Sequence, residues 1–173
     1  LGLARQMMGK VKEAITVYLR ALSINPNSFE ANLNLAGAYI QENRPSEALS
    51  FARRAVDLDP QSLGAWVTLA TTHSLRGNYD RAVESYRVAL ELGEMPEPVL
   101  LGLADAHLKL GNFDLATNVL QTLIRQNPSS TSYERLGYAQ FKRNRFDDAL
   151  ASFRAALSID AEDTAAFNGL GVC

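Results

Sequence analysis

The sequence predicts an all-α protein, a solenoid built from antiparallel helix hairpins that recur along the chain. Three sets of residues repeat in step at intervals of about 34 residues, a spacing found in helical repeat arrays. One set is an alanine, the second is a leucine followed by a small residue, and the third is a glycine or asparagine. In order, they are Ala14, Ala48, Ala82, Ala116 and Ala149; Leu1-Gly2, Leu35-Ala36, Leu69-Ala70, Leu103-Ala104, Leu136-Gly137 and Leu170-Gly171; and Gly9, Asn43, Gly77, Gly111 and Asn144.

Each set has a physical cause. Two helices that cross closely need small side chains where their backbones approach, which explains the alanines and the small residue after each leucine. Glycine and asparagine suit the left-handed conformation that ends a helix, so the third set marks the turn of each hairpin. Between hairpins, a proline ends the second helix and a capping residue begins the next one. These are Pro26, Pro60 and Pro128, and Ser28, Ser62 and Asp163.

The clearest copy of the hairpin is the segment 63–96. Its first half places Trp66, Leu69, Ala70 and His73 at helical spacing, and its second half places Ala82, Tyr86 and Ala89 on one helix face. The order Trp-x2-Leu-Ala-x2-His, then Gly-Asn-Tyr, then Ala-x3-Tyr-x2-Ala closely resembles the tetratricopeptide repeat. The resemblance covers essentially all 173 residues.

We therefore expect one array over residues 1–173, with a partial repeat 1–28, repeats 29–62, 63–96, 97–129 and 130–163, and a partial repeat 164–173. The resemblance implies an α-α superhelix, right-handed, with eleven or twelve helices. Pro96 and Pro98 permit a helix only from about those residues onward. Both ends fall inside a helix of the repeat, so we expect an excerpt of a longer array that self-associates end to end through Leu1, Leu3, Phe167 and Leu170.

Composition excludes several classes of function. A net charge of −2 gives no electrostatic reason to expect nucleic acid as a partner, so an RNA-binding helical-repeat protein is disfavoured. Apolar runs stay well below the roughly 18 residues that membrane insertion requires. One cysteine forms no internal disulfide, which is compatible with a reducing compartment, and a cytoplasmic location is favoured.

The sequence offers little support for catalysis or metal binding. His73 and His107 lie one period apart and could suggest a metal pair, but their repeat position packs inside the hairpin and no further ligands complete a zinc set. Cys173 has no base spaced to activate it. Gly102 and Gly137 lie within helical patterns and form no phosphate-binding loop. We expect no catalytic residue, no metal and no cofactor.

The resemblance implies that first helices line a concave groove for a ligand. Transferred to this chain, the groove residues are Leu33, Asn34, Val67, Thr68, Thr71, Leu101, Asp105, Lys109, Arg135, Tyr138 and Lys142, and the same transfer includes Glu134 and Phe141. This face is mixed and apolar in patches, as expected of a binding groove. The carboxylate clamp of the chaperone-binding subfamily is absent, since only Asn34 and Arg135 match it.

Two functions follow from this groove. The leading hypothesis is a non-catalytic scaffold that binds a peptide or protein segment, and the second is the substrate-recruiting arm of a larger enzyme whose catalytic domain lies outside this chain. Convergence of Lys109, Arg135 and Lys142 would favour an acidic stretch in the ligand. The alternative is that Asp105 pairs with Lys109 and Glu134 offsets Arg135, which would leave a neutral, solvated face.

Overall fold

The computed structural model describes residues 1–93 and 96–173, and all regular structure in these ranges is helical. The predicted all-α class is confirmed, and eleven helices lie within the described ranges. They are α1 (Gly2–Met7), α2 (Val11–Ile24), α3 (Phe29–Gln41), α4 (Pro45–Leu58), α5 (Leu63–Leu75), α6 (Tyr79–Glu91), α7 (Glu97–Lys109), α8 (Phe113–Gln126), α9 (Ser130–Lys142), α10 (Phe146–Ile159) and α11 (Thr164–Val172).

The chain divides into two compact units, residues 1–94 and 95–173. In the first unit, α1 packs on α2, α3 on α4 and α5 on α6, while α2–α3, α4–α5 and α3–α5 contacts join one hairpin to the next. In the second unit, α7 packs on α8 and α9 on α10, and α11 contacts both α9 and α10. The first helix of a hairpin thus also contacts the first helix of the next one, in the pairs α3–α5, α7–α9 and α9–α11.

Every predicted hairpin turn is confirmed by its backbone. Gly9, Gly77 and Gly111 have φ values of 73° to 75°, and Asn43 and Asn144 have φ values of 54° and 58°. At the Asn43 turn, the Arg44 N–H donates to the Tyr39 carbonyl at 2.8 Å and the Asn43 N–H donates to the Ile40 carbonyl at 2.9 Å. This is the Schellman pattern, which satisfies the last carbonyls of the first helix and reverses the chain.

The predicted helix starts are also confirmed. The side chains of Ser28, Ser62 and Asp163 accept hydrogen bonds from the third backbone N–H of α3, α5 and α11, at 3.2, 3.2 and 3.0 Å. Ser129 does the same for α9 and forms a reciprocal capping box with Ser132, which sequence inspection did not identify. Helix α7 begins at Glu97 with Pro98 in its first turn, as the two prolines predicted.

Asn32 and Trp66 are the fourth residues of the repeats 29–62 and 63–96, and the two side chains make the same contact. The Asn32 Nδ2 donates to the carbonyl of Pro26 at 3.1 Å, and the Trp66 Nε1 donates to the carbonyl of Pro60 at 2.9 Å. Each side chain thereby binds the carbonyl of the proline six residues earlier. The amide of Asn32 can replace the indole of Trp66 because the carbonyl of the preceding proline still receives its hydrogen bond.

The small residues at the hairpin crossings are fully enclosed. Ala48, Ala82, Ala116 and Ala149 have no solvent-exposed surface. At Gly137 on α9, the facing side chain on α10 is the aromatic Phe153, and even alanine is too large. A Cβ on Gly137 would lie 2.7 Å from Cε1 of Phe153. Gly37, in contrast, lies in α3 with no atom within 4 Å of such a Cβ.

These two glycines should respond oppositely to the same substitution. Gly37→Ala should stabilise the protein by about 0.5–1 kcal/mol, because alanine loses less backbone entropy in a helix. Gly137→Ala should destabilise it by about 1 kcal/mol, because the Phe153 ring must move within a packed core. Urea unfolding followed by circular dichroism measures both, and a stabilising Gly137→Ala would show that the ring has room to shift.

Candidate functional site

The predicted groove residues of the first unit lie on two adjacent helices. Leu33 and Asn34 are on α3, and Val67, Thr68 and Thr71 are on α5, which packs directly against α3. All five are partly exposed. The Thr71 hydroxyl lies 3.4 Å from the Tyr86 hydroxyl, and the Thr68 hydroxyl donates to the Gly64 carbonyl at 2.8 Å. The arrangement offers apolar and hydroxyl groups at a partly exposed surface.

In the second unit, an ion pair joins the two helices that carry the predicted groove residues. Leu101, Asp105 and Lys109 are on α7, and Arg135, Tyr138 and Lys142 are on α9. The Arg135 Nε donates to the Asp105 carboxylate, thirty residues earlier in the chain. This bond fixes the guanidinium against α7.

The expectation that Asp105 pairs with Lys109 is therefore wrong, since Asp105 instead binds Arg135 on the neighbouring helix. The related expectation for Glu134 and Arg135 holds only in part. Their closest charged atoms, Arg135 Nη1 and a Glu134 carboxylate oxygen, are 3.9 Å apart, which is an ion pair but too long for a hydrogen bond. The charge of the Arg135 guanidinium is thus neutralised by the Asp105 carboxylate on α7. The Glu134 carboxylate oxygens remain able to accept hydrogen bonds.

Tyr138 presents its ring at the surface of α9. Its side chain is 41% exposed. The ring meets Phe113 edge-on with centroids 6.4 Å apart, and the Lys142 Nζ lies 5.4 Å from the Tyr138 centroid. An aromatic ring held from two sides while partly exposed is suited to bind an apolar or cationic ligand group.

A cavity of about 300 Å³ opens beside Tyr138, between α9, α10 and α11. Its wall is mainly apolar and includes Tyr138 and Phe141 from α9, Phe153 from α10 and Gly169 from α11. Its polar groups are Glu134 and Asn168. This size and this mix of apolar wall with few polar groups are typical of small ligand-binding cavities.

Burial alters the acidity of the one carboxylate in this wall. The pKa of Glu134 is raised above its ordinary value, first by desolvation, and the charges of Asp163 and Asp105 act in the same direction. The Arg135 guanidinium opposes this by lowering the pKa. The cavity therefore holds a carboxylate whose charge is only partly compensated.

Sequence inspection found part of this cavity and missed the rest. Glu134, Tyr138 and Phe141 were all placed on the groove face by the repeat register. Phe153 was not among the predicted groove residues, although its ring forms part of the cavity wall. Asn168 and Gly169 were not singled out, and the signal for Gly169 is steric, because a Cβ there would lie 2.5 Å from the Phe153 ring.

The two histidines lie inside the hairpins rather than at the candidate site. His73 and His107 are 3% and 7% exposed. Burial lowers the pKa of His73, and nearby arginines lower it further, so the neutral imidazole is favoured. In residues 1–93 and 96–173, no group of three potential ligands converges as a metal site would require. Over the same ranges, no helix combines the length and apolar character needed to cross a membrane.

Comparisons with known proteins agree with this architecture. MamA is similar in structure (TM-score 0.87, 23% identity, covering 94% of this chain and 95% of MamA). YrrB, described as a TPR protein with an unusual peptide-binding site, is also similar (TM-score 0.76, 23% identity, covering 90% of this chain and 80% of YrrB). A third is MamA from Desulfovibrio magneticus RS-1 (TM-score 0.79, 19% identity, covering 83% and 82%).

The sequence comparisons identify the family directly. No curated protein matches the sequence. Family profiles described as tetratricopeptide repeat match residues 6–71, 40–94 and 101–173. These matches cover both units, and they agree with the turns, caps and small-residue crossings described above. The chain belongs to the tetratricopeptide repeat family.

Proposed function

We propose that this chain is a non-catalytic scaffold that binds a peptide or a segment of another protein on the exposed face of its first helices. The observation that carries the proposal is the cavity beside Tyr138, where an apolar wall, an exposed aromatic ring and a carboxylate meet on adjacent helices. Aromatic side chains in such settings contribute strongly to binding other proteins. The first unit supports the same function with Leu33, Val67 and Thr71 on α3 and α5.

The known similarities are consistent with this function. Tetratricopeptide repeats form hairpins that pack side by side and expose extended surfaces. YrrB carries a peptide-binding site, and it shares the fold of this chain at 23% identity. We infer binding for this chain from its own surface residues, with YrrB as an example of the same fold used in that way.

The test is selection from a displayed library of random twelve-residue peptides, followed by affinity measurement of enriched peptides. Tyr138→Ala should weaken binding of a peptide seated on the second unit by about tenfold, or 1.4 kcal/mol. Val67→Ala should do the same for one seated on the first unit.

Matched controls lie on second helices. Arg87 on α6 and Gln121 on α8 are exposed, so alanine at either position should leave affinity unchanged. Failure to enrich any peptide, or equal losses for groove and control variants, would contradict the proposed function.

A further inference from the structure

The cavity between α9, α10 and α11 has an apolar wall but a charged polar group, and the combination limits what can fill it. We propose that it binds the side chain of a lysine or arginine, with the methylene stem against Phe141 and Phe153 and the cationic head at Glu134. This inference rests on the proposed function, and it names the residue class that the second unit selects in a bound segment.

The wall suits a long aliphatic stem. Phe141, Phe153 and Tyr138 contribute aromatic surface, and Gly169 leaves room by having no side chain. Lysine and arginine bury their methylene groups along apolar surfaces while their charged ends reach polar groups. A purely aliphatic residue would fill the same space but would leave the Glu134 carboxylate desolvated without a partner, which is costly.

The charge at Glu134 favours a cation. In the described part of the chain, the carboxylate accepts no hydrogen bond, and the one cationic atom within 4 Å of it is the Arg135 Nη1 at 3.9 Å. The Arg135 Nε is already bound to Asp105. The negative charges of Asp105 and Asp163 both raise the pKa of Glu134, and the Arg135 guanidinium opposes them. A ligand cation would supply the missing positive charge and a charge-assisted hydrogen bond.

This inference replaces the expectation of an acidic ligand stretch at these repeats. That expectation required Arg135 to be available to the ligand together with Lys109 and Lys142, whereas Arg135 is held by Asp105. The competing cation is Lys142, whose Nζ lies over the Tyr138 ring. If Lys142 governed the site, a carboxylate would be the preferred ligand, and the experiment must separate the two outcomes.

Three small probes with the same five-carbon chain isolate the charge: n-pentylammonium, 1-pentanol and pentanoate. Their affinities are measured by titration while amide resonances of Phe141, Asn168 and Gly169 are followed by NMR. We expect n-pentylammonium to bind about tenfold more tightly than pentanoate, with 1-pentanol between them. Glu134→Gln should abolish this order, because the amide keeps the shape and removes the charge.

The control variant is Glu162→Gln, an exposed carboxylate in the turn between α10 and α11, which should preserve the order of affinities. Lys142→Met tests the alternative in which Lys142 governs the site, and this variant should leave n-pentylammonium binding intact. Tighter binding of pentanoate, or an order that survives Glu134→Gln, would overturn the inference. Circular dichroism of each variant confirms that the fold is retained.

The peptide library distinguishes this inference from the proposed function. Peptides enriched on wild-type protein and displaced by n-pentylammonium should carry lysine or arginine at one fixed position, and Glu134→Gln should remove that preference. Enriched peptides without a basic residue would refute the inference and leave the scaffold function standing. Absence of any enriched peptide would refute the scaffold function itself, whatever the small probes do.

Discussion

Replacing Phe153 with alanine should lower the free energy of unfolding by about 3–5 kcal/mol. The ring is 3% exposed and packs in the core of the α9–α10 hairpin with Ala149, Ala156 and Ala166. Gly137 on α9 and Gly169 on α11 lie so close to the ring that a Cβ on them would be 2.7 Å and 2.5 Å from it. Removal of the ring would leave a void that these backbones cannot fill by a small shift.

The matched control is Phe146→Ala on the same helix. Phe146 is 43% exposed and contacts Phe141 edge-on at 5.7 Å, so less than half of the Phe153 effect is expected. Because the chain has two compact units, unfolding of the second unit is best followed by hydrogen exchange of α9 and α10 amides. Equal losses of protection for the two variants would contradict the assignment of Phe153 as the centre of this core.

Ala82→Leu should destabilise the first unit by about 1–3 kcal/mol through overpacking. Ala82 lies at the crossing of α5 and α6 and has no exposed surface, so a larger side chain must push the helices apart or leave its preferred rotamer. Trp66 is the only tryptophan of the chain and lies on α5, so its fluorescence reports this unit.

Glu84→Ala on the same helix provides the control for overpacking. Glu84 is exposed, and its substitution should change the urea midpoint very little. If Ala82→Leu and Glu84→Ala gave equal midpoints, the hairpin register that places Ala82 inside would be wrong.

The local structure could be read from sequence because it depends on short-range chemistry. Asn43 and Gly77 end first helices where the left-handed conformation requires residues of their type. Ser62 begins α5 because its hydroxyl can satisfy a free backbone N–H. Each of these turn and cap signals involves residues fewer than six positions apart, so it can be recognised in the sequence without knowledge of the tertiary structure. Their recurrence at the repeat interval strengthens the prediction.

Contacts between helices were less accessible to sequence inspection. Asp105 has a lysine four residues ahead, and helical spacing alone made that the expected partner. The actual partner, Arg135, lies thirty residues away, and its choice depends on how α7 and α9 pack. Phe153, Asn168 and Gly169 were missed as parts of the cavity wall for the same reason, since they lie on α10 and α11 and no local pattern encodes their distance from α9.

The central claim is that the first helices carry the binding surface, and the most direct test is NMR mapping of a library-selected peptide on the isotope-labelled protein. Binding should shift amide resonances on α3 and α5, or on α7, α9 and α11, with the largest changes near Val67 or Tyr138. Shifts confined to the second helices α2, α4, α6, α8 and α10 would contradict this claim, because they would place the ligand on the opposite layer of the hairpins.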